Sequence, residues 1–154
     1  MVVKKLFEEF DEDTLKAYVQ GNNDYYLIRW KWMSLIYSRT TWNWPAFFFP
    51  IHWLAYRKMY SYLFIFLIPY LLFAILGIDI ILRFILGIYG NYLYAKHTYK
   101  KLKKLKITAN SDEEFKNLIE KKGGTSVLSV LIVIIIPILL IAFFVITIVL
   151  LQKI

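Results

Sequence analysis

SVLSVLIVIIIPILLIAFFVITIVLL, residues 126–151, contains no charged side chain. As an α-helix this stretch would be about 39 Å long, enough to cross about 30 Å of hydrocarbon with some tilt. Pro137 lies mid-stretch, a position that lipid-buried helices accept with a kink. Gly123-Gly124 precedes the run, and only Gln152, Lys153 and Ile154 follow it. This reading makes the chain an integral membrane protein, and it governs how the other apolar stretches are parsed.

Upstream, residues 59–95 form one apolar region with a break: YSYLFIFLIPYLLFAIL, then GID, then IILRFILGIYGNYLYA. Each half is near the short end of the about 20 residues that a span requires. Arg57 and Lys58 precede the region, and Lys96, Lys100, Lys101, Lys103, Lys104 and Lys106 follow it. A single long helix would put these cations on opposite faces of a membrane. A hairpin puts both inside, as the bias of Lys and Arg towards the cytoplasm requires. The expectation is therefore a transmembrane hairpin of about 60–77 and 80–95, turning at Gly77-Ile78-Asp79. Residues 96–125 then form a basic cytoplasmic connection. It carries a short helix in SDEEFKNLIEK, with Ser111 as N-cap and Glu114 three positions on. Residues 126–151 are the third span. Eight of the 19 Lys and Arg residues lie in 1–58 and nine in 96–122, the others being Arg83 and Lys153. A chain with its N-terminus inside and its C-terminus outside keeps 17 of them in the cytoplasm.

Residues 41–58, TWNWPAFFFPIHWLAYRK, are apolar and aromatic for about 15 positions, too few to span. Pro45 can start a helix, and Pro50 would bend it. The segment reads as interfacial or re-entrant, with its aromatics at the headgroup boundary. Residues 1–40 read as a cytoplasmic or membrane-surface helical part. Phe7, Phe10, Leu15, Tyr18 and Val19 form a loose helical stripe, and Asp13 is a plausible N-cap. Gly21-Asn22 stops that helix. Asn23 or Asp24 caps a second one, whose Tyr26, Trp30, Met33 and Tyr37 share a face. The two helices either pack as a hairpin or lie on headgroups, and the readings are compatible.

Composition agrees with a membrane setting. Hydrophobic residues make up 59% of the 154 positions, against about 45–50% in soluble domains. Aromatics reach 19%, a surplus expected where rings meet the membrane–water boundary. The net charge of +8 fits positive-inside topology and attraction to anionic lipid better than nucleic-acid binding. The absence of Cys excludes disulfides, thiolate metal sites and cysteine nucleophiles. The N-terminus has two lysines but no apolar run behind them, so no signal peptide is expected.

Three blocks stand out: Asn23, Asp24, Tyr25 and Tyr26; then Trp42, Asn43, Trp44, Ala46 and Phe47; then Trp53, Tyr56, Arg57, Lys58, Met59 and Tyr60. Together they resemble a bacterial membrane-protein family described as domain of unknown function 2628. Asn91 to Tyr94, His97, and Gly123 to Ser126 add to the likeness, which covers roughly residues 20–130. Pro50 stands where that family commonly has Gly. The resemblance implies an all-α, multi-pass protein of the bacterial inner (plasma) membrane with a cytoplasmic N-terminus. It implies no activity.

The chemistry on offer is sparse. His52 and His97 have no second ligand at helical spacing, so no metal or cofactor is expected. No phosphate loop, Ser-His-Asp set or paired carboxylate motif is present, so no enzyme is expected. Lipid or interface candidates are Trp42, Asn43, Trp44, Trp53, Tyr56, Arg57 and Lys58. Intramembrane polar candidates are Asp79, Arg83 and Asn91. Asp79 and Arg83, at i and i+4, are expected to pair, and Arg83 to snorkel. Arg57 is expected to anchor to lipid or backbone carbonyls, using a fork that Lys lacks. The expected role is a scaffold, accessory subunit or lipid-interacting component, with anionic phospholipid, a membrane-protein partner or a homo-oligomer as partners. The alternative is a subunit of an oligomeric pore or small transporter.

Overall fold

The computed structural model describes residues 1–152, and among them all regular structure is helical. Lys153 and Ile154, assigned above to the outer face, lie outside the described residues.

One long helix, α7 (Ile80–Thr108), is the spine. Its buried residues Leu82, Leu86, Gly90, Tyr94, Thr98 and Leu102 recur every fourth position, close to one helical turn, and form one stripe. Around that stripe pack α1 (Val2–Glu9), α3 (Asn23–Leu35), α4 (Trp44–Phe48), α5 (Pro50–Tyr56) and α8 (Asp112–Lys122). The remaining helices are α2 (Glu12–Val19), α6 (Tyr60–Ile75) and α9 (Val127–Leu151). The core combines Leu6, Leu15, Trp30, Met33, Leu54, Met59 and Tyr94 with the α7 stripe.

Two boundaries differ from the sequence reading near the N-terminus. A separate helix, α1, precedes the expected one, and the cap of α2 is Asp11, not Asp13. The Asp11 carboxylate accepts from the Thr14 amide at 2.7 Å, which also lowers its pKa. Helix α3 begins after Asn22, a left-handed residue at φ 61°, rather than after Asn23 or Asp24. Tyr26, Trp30 and Met33 face inward as expected. Tyr37 does not, because it lies past the end of α3 in the left-handed region at φ 53° and is 65% exposed.

The aromatic block forms two short helices, not one bent helix. Pro45 and Pro50 each occupy a first-turn position, where a missing N–H costs no helical bond. Helix α5 then ends on a Schellman turn. The Met59 amide bonds to the Leu54 carbonyl at 2.9 Å, with Lys58 left-handed at φ 54°.

Helix α6 ends at Ile75, and Gly77 takes φ 71° in the turn that leads into α7. The expected second arm, 80–95, does not stop there. It continues without a break through the lysine run to Thr108, so residues 96–108 are helix, not connecting chain. Helix α8 is capped by the Ser111 hydroxyl, which accepts from the Glu114 amide at 3.1 Å. Glu114 returns the bond to the Asn110 amide at 2.7 Å, one residue before the cap.

Helix α9 is the one described helix long and apolar enough to cross a membrane, and none of its residues is buried. It begins beside α6: the Tyr60 hydroxyl and Ser129 Oγ are 2.7 Å apart. At the same level the Tyr62 ring meets His97 of α7, with ring centroids 6.4 Å apart. Further along, Leu67 and Tyr70 of α6 share a cavity wall with Val133 and Pro137 of α9. Helices α6 and α9 therefore run parallel from a common starting level, with α7 antiparallel to α6.

Candidate functional site

A chain of polar contacts in the interior centres on Asn91, three turns into α7. Gly87 and Gly90 bring α4 close enough to reach it. A Cβ on Gly90 would stand 3.1 Å from that of Ala46, and one on Gly87 would stand 3.1 Å from that of Phe47. In that contact the Asn43 amide nitrogen donates to the Gly87 carbonyl at 2.8 Å. Asn43 Nδ2 donates to Asn91 Oδ1 at 2.9 Å, and Asn43 Oδ1 caps α4 through the Ala46 amide at 3.0 Å. Asn91 Nδ2 donates to Thr41 Oγ1 at 2.9 Å and to the Trp42 carbonyl at 3.2 Å. The Trp30 indole N–H then takes the Asn91 carbonyl at 2.9 Å. Both asparagines are fully buried. The arrangement ties α3, the 41–48 segment and α7 together with matched donors and acceptors, which is what makes buried polar groups tolerable.

Arg57 forms a second node. It is 2% exposed, and no carboxylate lies within ion-pair distance among the described residues. Both terminal nitrogens donate to the Gly21 carbonyl at 3.0 Å, and one also reaches the Val19 carbonyl at 3.4 Å. The guanidinium carbon lies 4.4 Å from the Tyr26 ring centroid and 5.2 Å from that of Tyr94. Carbonyl dipoles and ring faces together stabilise the cation where water is excluded. Next to it, Lys58 donates to the Gly123 carbonyl, which joins the end of α5 to the turn before α9.

A third cluster closes the hairpin turn. Arg83 Nε donates to Asp79 Oδ2 at 2.6 Å, its terminal nitrogens to the Phe48 carbonyl and the Tyr70 hydroxyl, each at 2.8 Å. Arg83 therefore spends its donors on α4, α6 and the turn.

The structure divides the lipid and interface candidates. Trp44 is exposed, and Trp42, Tyr56 and Lys58 are half-buried. Asn43, Trp53 and Arg57 are interior and face protein: Arg57 takes the backbone-carbonyl alternative of its expected anchors, Asn43 bonds across helices, and Trp53 has almost no surface left for lipid. Trp53 has its N–H on the Tyr26 hydroxyl at 3.1 Å. Thr41, Gly87 and Gly90 belong to the Asn91 node and are not among the sequence candidates, while Trp30, expected only as part of a shared helix face, donates to it. Gly87 and Gly90, three apart in an apolar helix, were the available signal for close helix approach.

No protein-family model, curated protein or solved structure matches the chain.

Proposed function

We propose that the chain is a three-span bacterial inner-membrane protein of the family it resembles, with a cytoplasmic N-terminus, and that it acts without catalysis as a scaffold or accessory subunit. The observation that carries the membrane reading is α9: a 25-residue helix, apolar throughout except for Ser129 and Thr147, without one buried position. Water would not tolerate such a surface, whereas hydrocarbon requires it. The common starting level of α6 and α9, beside His97 of α7, supports a single membrane boundary there. Residues 41–58 are read as re-entrant, because they pack on the apolar part of α7 between Gly90 and Arg83. The scaffold reading rests on the polar interior. Asn43 and Asn91 bond to each other, to Thr41 and to backbone, and Arg83 bonds to Asp79, Tyr70 and the Phe48 carbonyl, so these polar groups serve to join the helices.

Single cysteines test the topology in a chain that has none of its own. Cysteines at Thr14 and Lys103 are expected to stay unlabelled by an impermeant reagent in intact cells, and one at Ile78 to be labelled. Labelling at 103 from outside would overturn the hairpin. Release of the protein by alkaline carbonate would overturn the membrane reading itself. Crosslinking in native membranes separates the roles, since a defined homo-oligomer would favour the pore.

A further inference from the structure

Five lysines converge on one cavity of about 460 Å³ between α7, α8 and the start of α6: Lys58, Lys101, Lys104, Lys121 and Lys122. They arrive from three separate elements. Lys101 and Lys104 lie one turn apart on α7, Lys121 and Lys122 end α8, and Lys58 lies in the turn that follows α5. No carboxylate lines the cavity. His97 forms part of its wall, and burial together with Lys101 pushes that imidazole down to about 4, so it adds no charge at neutral pH. Like charges gathered in a concave site repel, and they raise the local concentration of an anion. The volume lies within the about 300–1,000 Å³ usual for small-ligand sites.

Position narrows the ligand. Tyr60, one of the lining residues, starts α6 and touches the first turn of α9, which puts the cavity at the level of the proposed cytoplasmic boundary. About ten residues deeper, α5, α6 and α9 enclose a second cavity of about 320 Å³, walled by Leu67, Leu71, Val133 and Pro137. Basic at the boundary and apolar in depth is the profile of a phosphorylated amphiphile.

We propose that the lysine cavity binds a phosphate-bearing anion, supplied as the headgroup of an anionic phospholipid. The lipid source rests on the membrane reading above, while the anion chemistry does not. The test reconstitutes the full chain in nanodiscs of phosphatidylcholine with or without phosphatidylglycerol, and weighs retained lipid by native mass spectrometry. Lys101→Gln with Lys104→Gln removes two lining charges. Lys103→Gln with Lys106→Gln removes two from the same helix outside the cavity. The native chain and the second variant are expected to retain phosphatidylglycerol, and the first to lose it about tenfold. Equal loss in both variants would mean diffuse attraction and overturn the site, as would no retention by the native chain. Circular dichroism checks that helix content is unchanged; should the first variant unfold, Lys121→Gln with Lys122→Gln on α8 carries the same expectation. Titration with inorganic phosphate in phosphatidylcholine alone separates the sources. Binding of free phosphate that the first variant abolishes, without lipid retention, overturns the lipid assignment. A chain that does not enter nanodiscs at all refutes the membrane reading, and the phosphate titration then still tests the cavity.

Discussion

Arg57 is a cation whose partners are carbonyl oxygens and tyrosine rings, so its shape matters as well as its charge. Lysine at this position keeps the charge but cannot span the same set of acceptors. Arg57→Lys is expected to lower stability by about 1–2 kcal/mol and Arg57→Gln by about 3, read as falls in the melting temperature of solubilised protein. Equal melting of Arg57→Lys and the native chain would show that charge alone suffices. Asn91→Leu is expected to cost about 2–3 kcal/mol, because it strands Asn43 Nδ2 and Thr41 Oγ1 in the interior. Its effect should be far from additive with Asn43→Ala in a double-mutant cycle. His97 supplies a pH dependence. Its pKa falls to about 4 in the fold from about 6.5, so below pH 6.5 the unfolded chain takes up a proton that the folded one refuses. This lowers stability progressively between about pH 6.5 and 4, by up to about 3 kcal/mol. His97→Gln is expected to flatten the melting temperature across that window. The sequence marked Arg57 and Asn91 as candidates, but it could not show which way they face. An interfacial lysine-arginine pair and a polar residue in an apolar run read alike whether they meet lipid or protein.

At the scale of elements, the contact between α4 and α7 is the most sensitive to volume. Gly90→Val would force its side chain against Ala46 and Trp53, an overpacking cost of about 1–3 kcal/mol. The displaced α4 should change the depth at which lipid probes quench Trp44 most strongly, relative to the native chain. In the native chain, the re-entrant placement predicts that Trp44 is quenched more by mid-depth probes than by headgroup probes. Stronger headgroup quenching would return the segment to the surface. Apolar runs and turn residues carried the reading of α6, α8 and α9, because length, Gly77 and the Ser111 cap are local signals. The extension of α7 through Lys96–Thr108 was obscured by charge. A lysine-rich stretch suits a solvated helix as well as a loop, and here one face of it, with Thr98 and Leu102, is buried against α1 and its neighbours. The split at Phe10–Asp11 was missed for the opposite reason, since an aspartate two positions earlier than expected makes an equally good cap.

For the whole molecule, the proposed membrane arrangement rests on charge asymmetry and apolar length, and neither depends on residue detail. What the sequence could not express is how far each apolar element extends once packed. Helix α6 has 16 residues, about 24 Å of rise, whereas α9 has 25, about 37 Å, and both start at the level where Tyr60 meets Ser129. The last two turns of α9 thus stand beyond the hairpin without a neighbour in the chain. In the proposed membrane placement, a bilayer of uniform thickness would fit only one of these lengths, so the leaflets would thin beside the hairpin while α9 leaned or thickened its own surroundings. So placed, the protein would be an asymmetric wedge whose elastic cost falls as the bilayer becomes thinner on one side, and it is expected to gather where such gradients already exist. Shortening the outer end of α9 by two turns would remove the asymmetry, and with it any preference between reconstituted bilayers of short-chain and long-chain lipid.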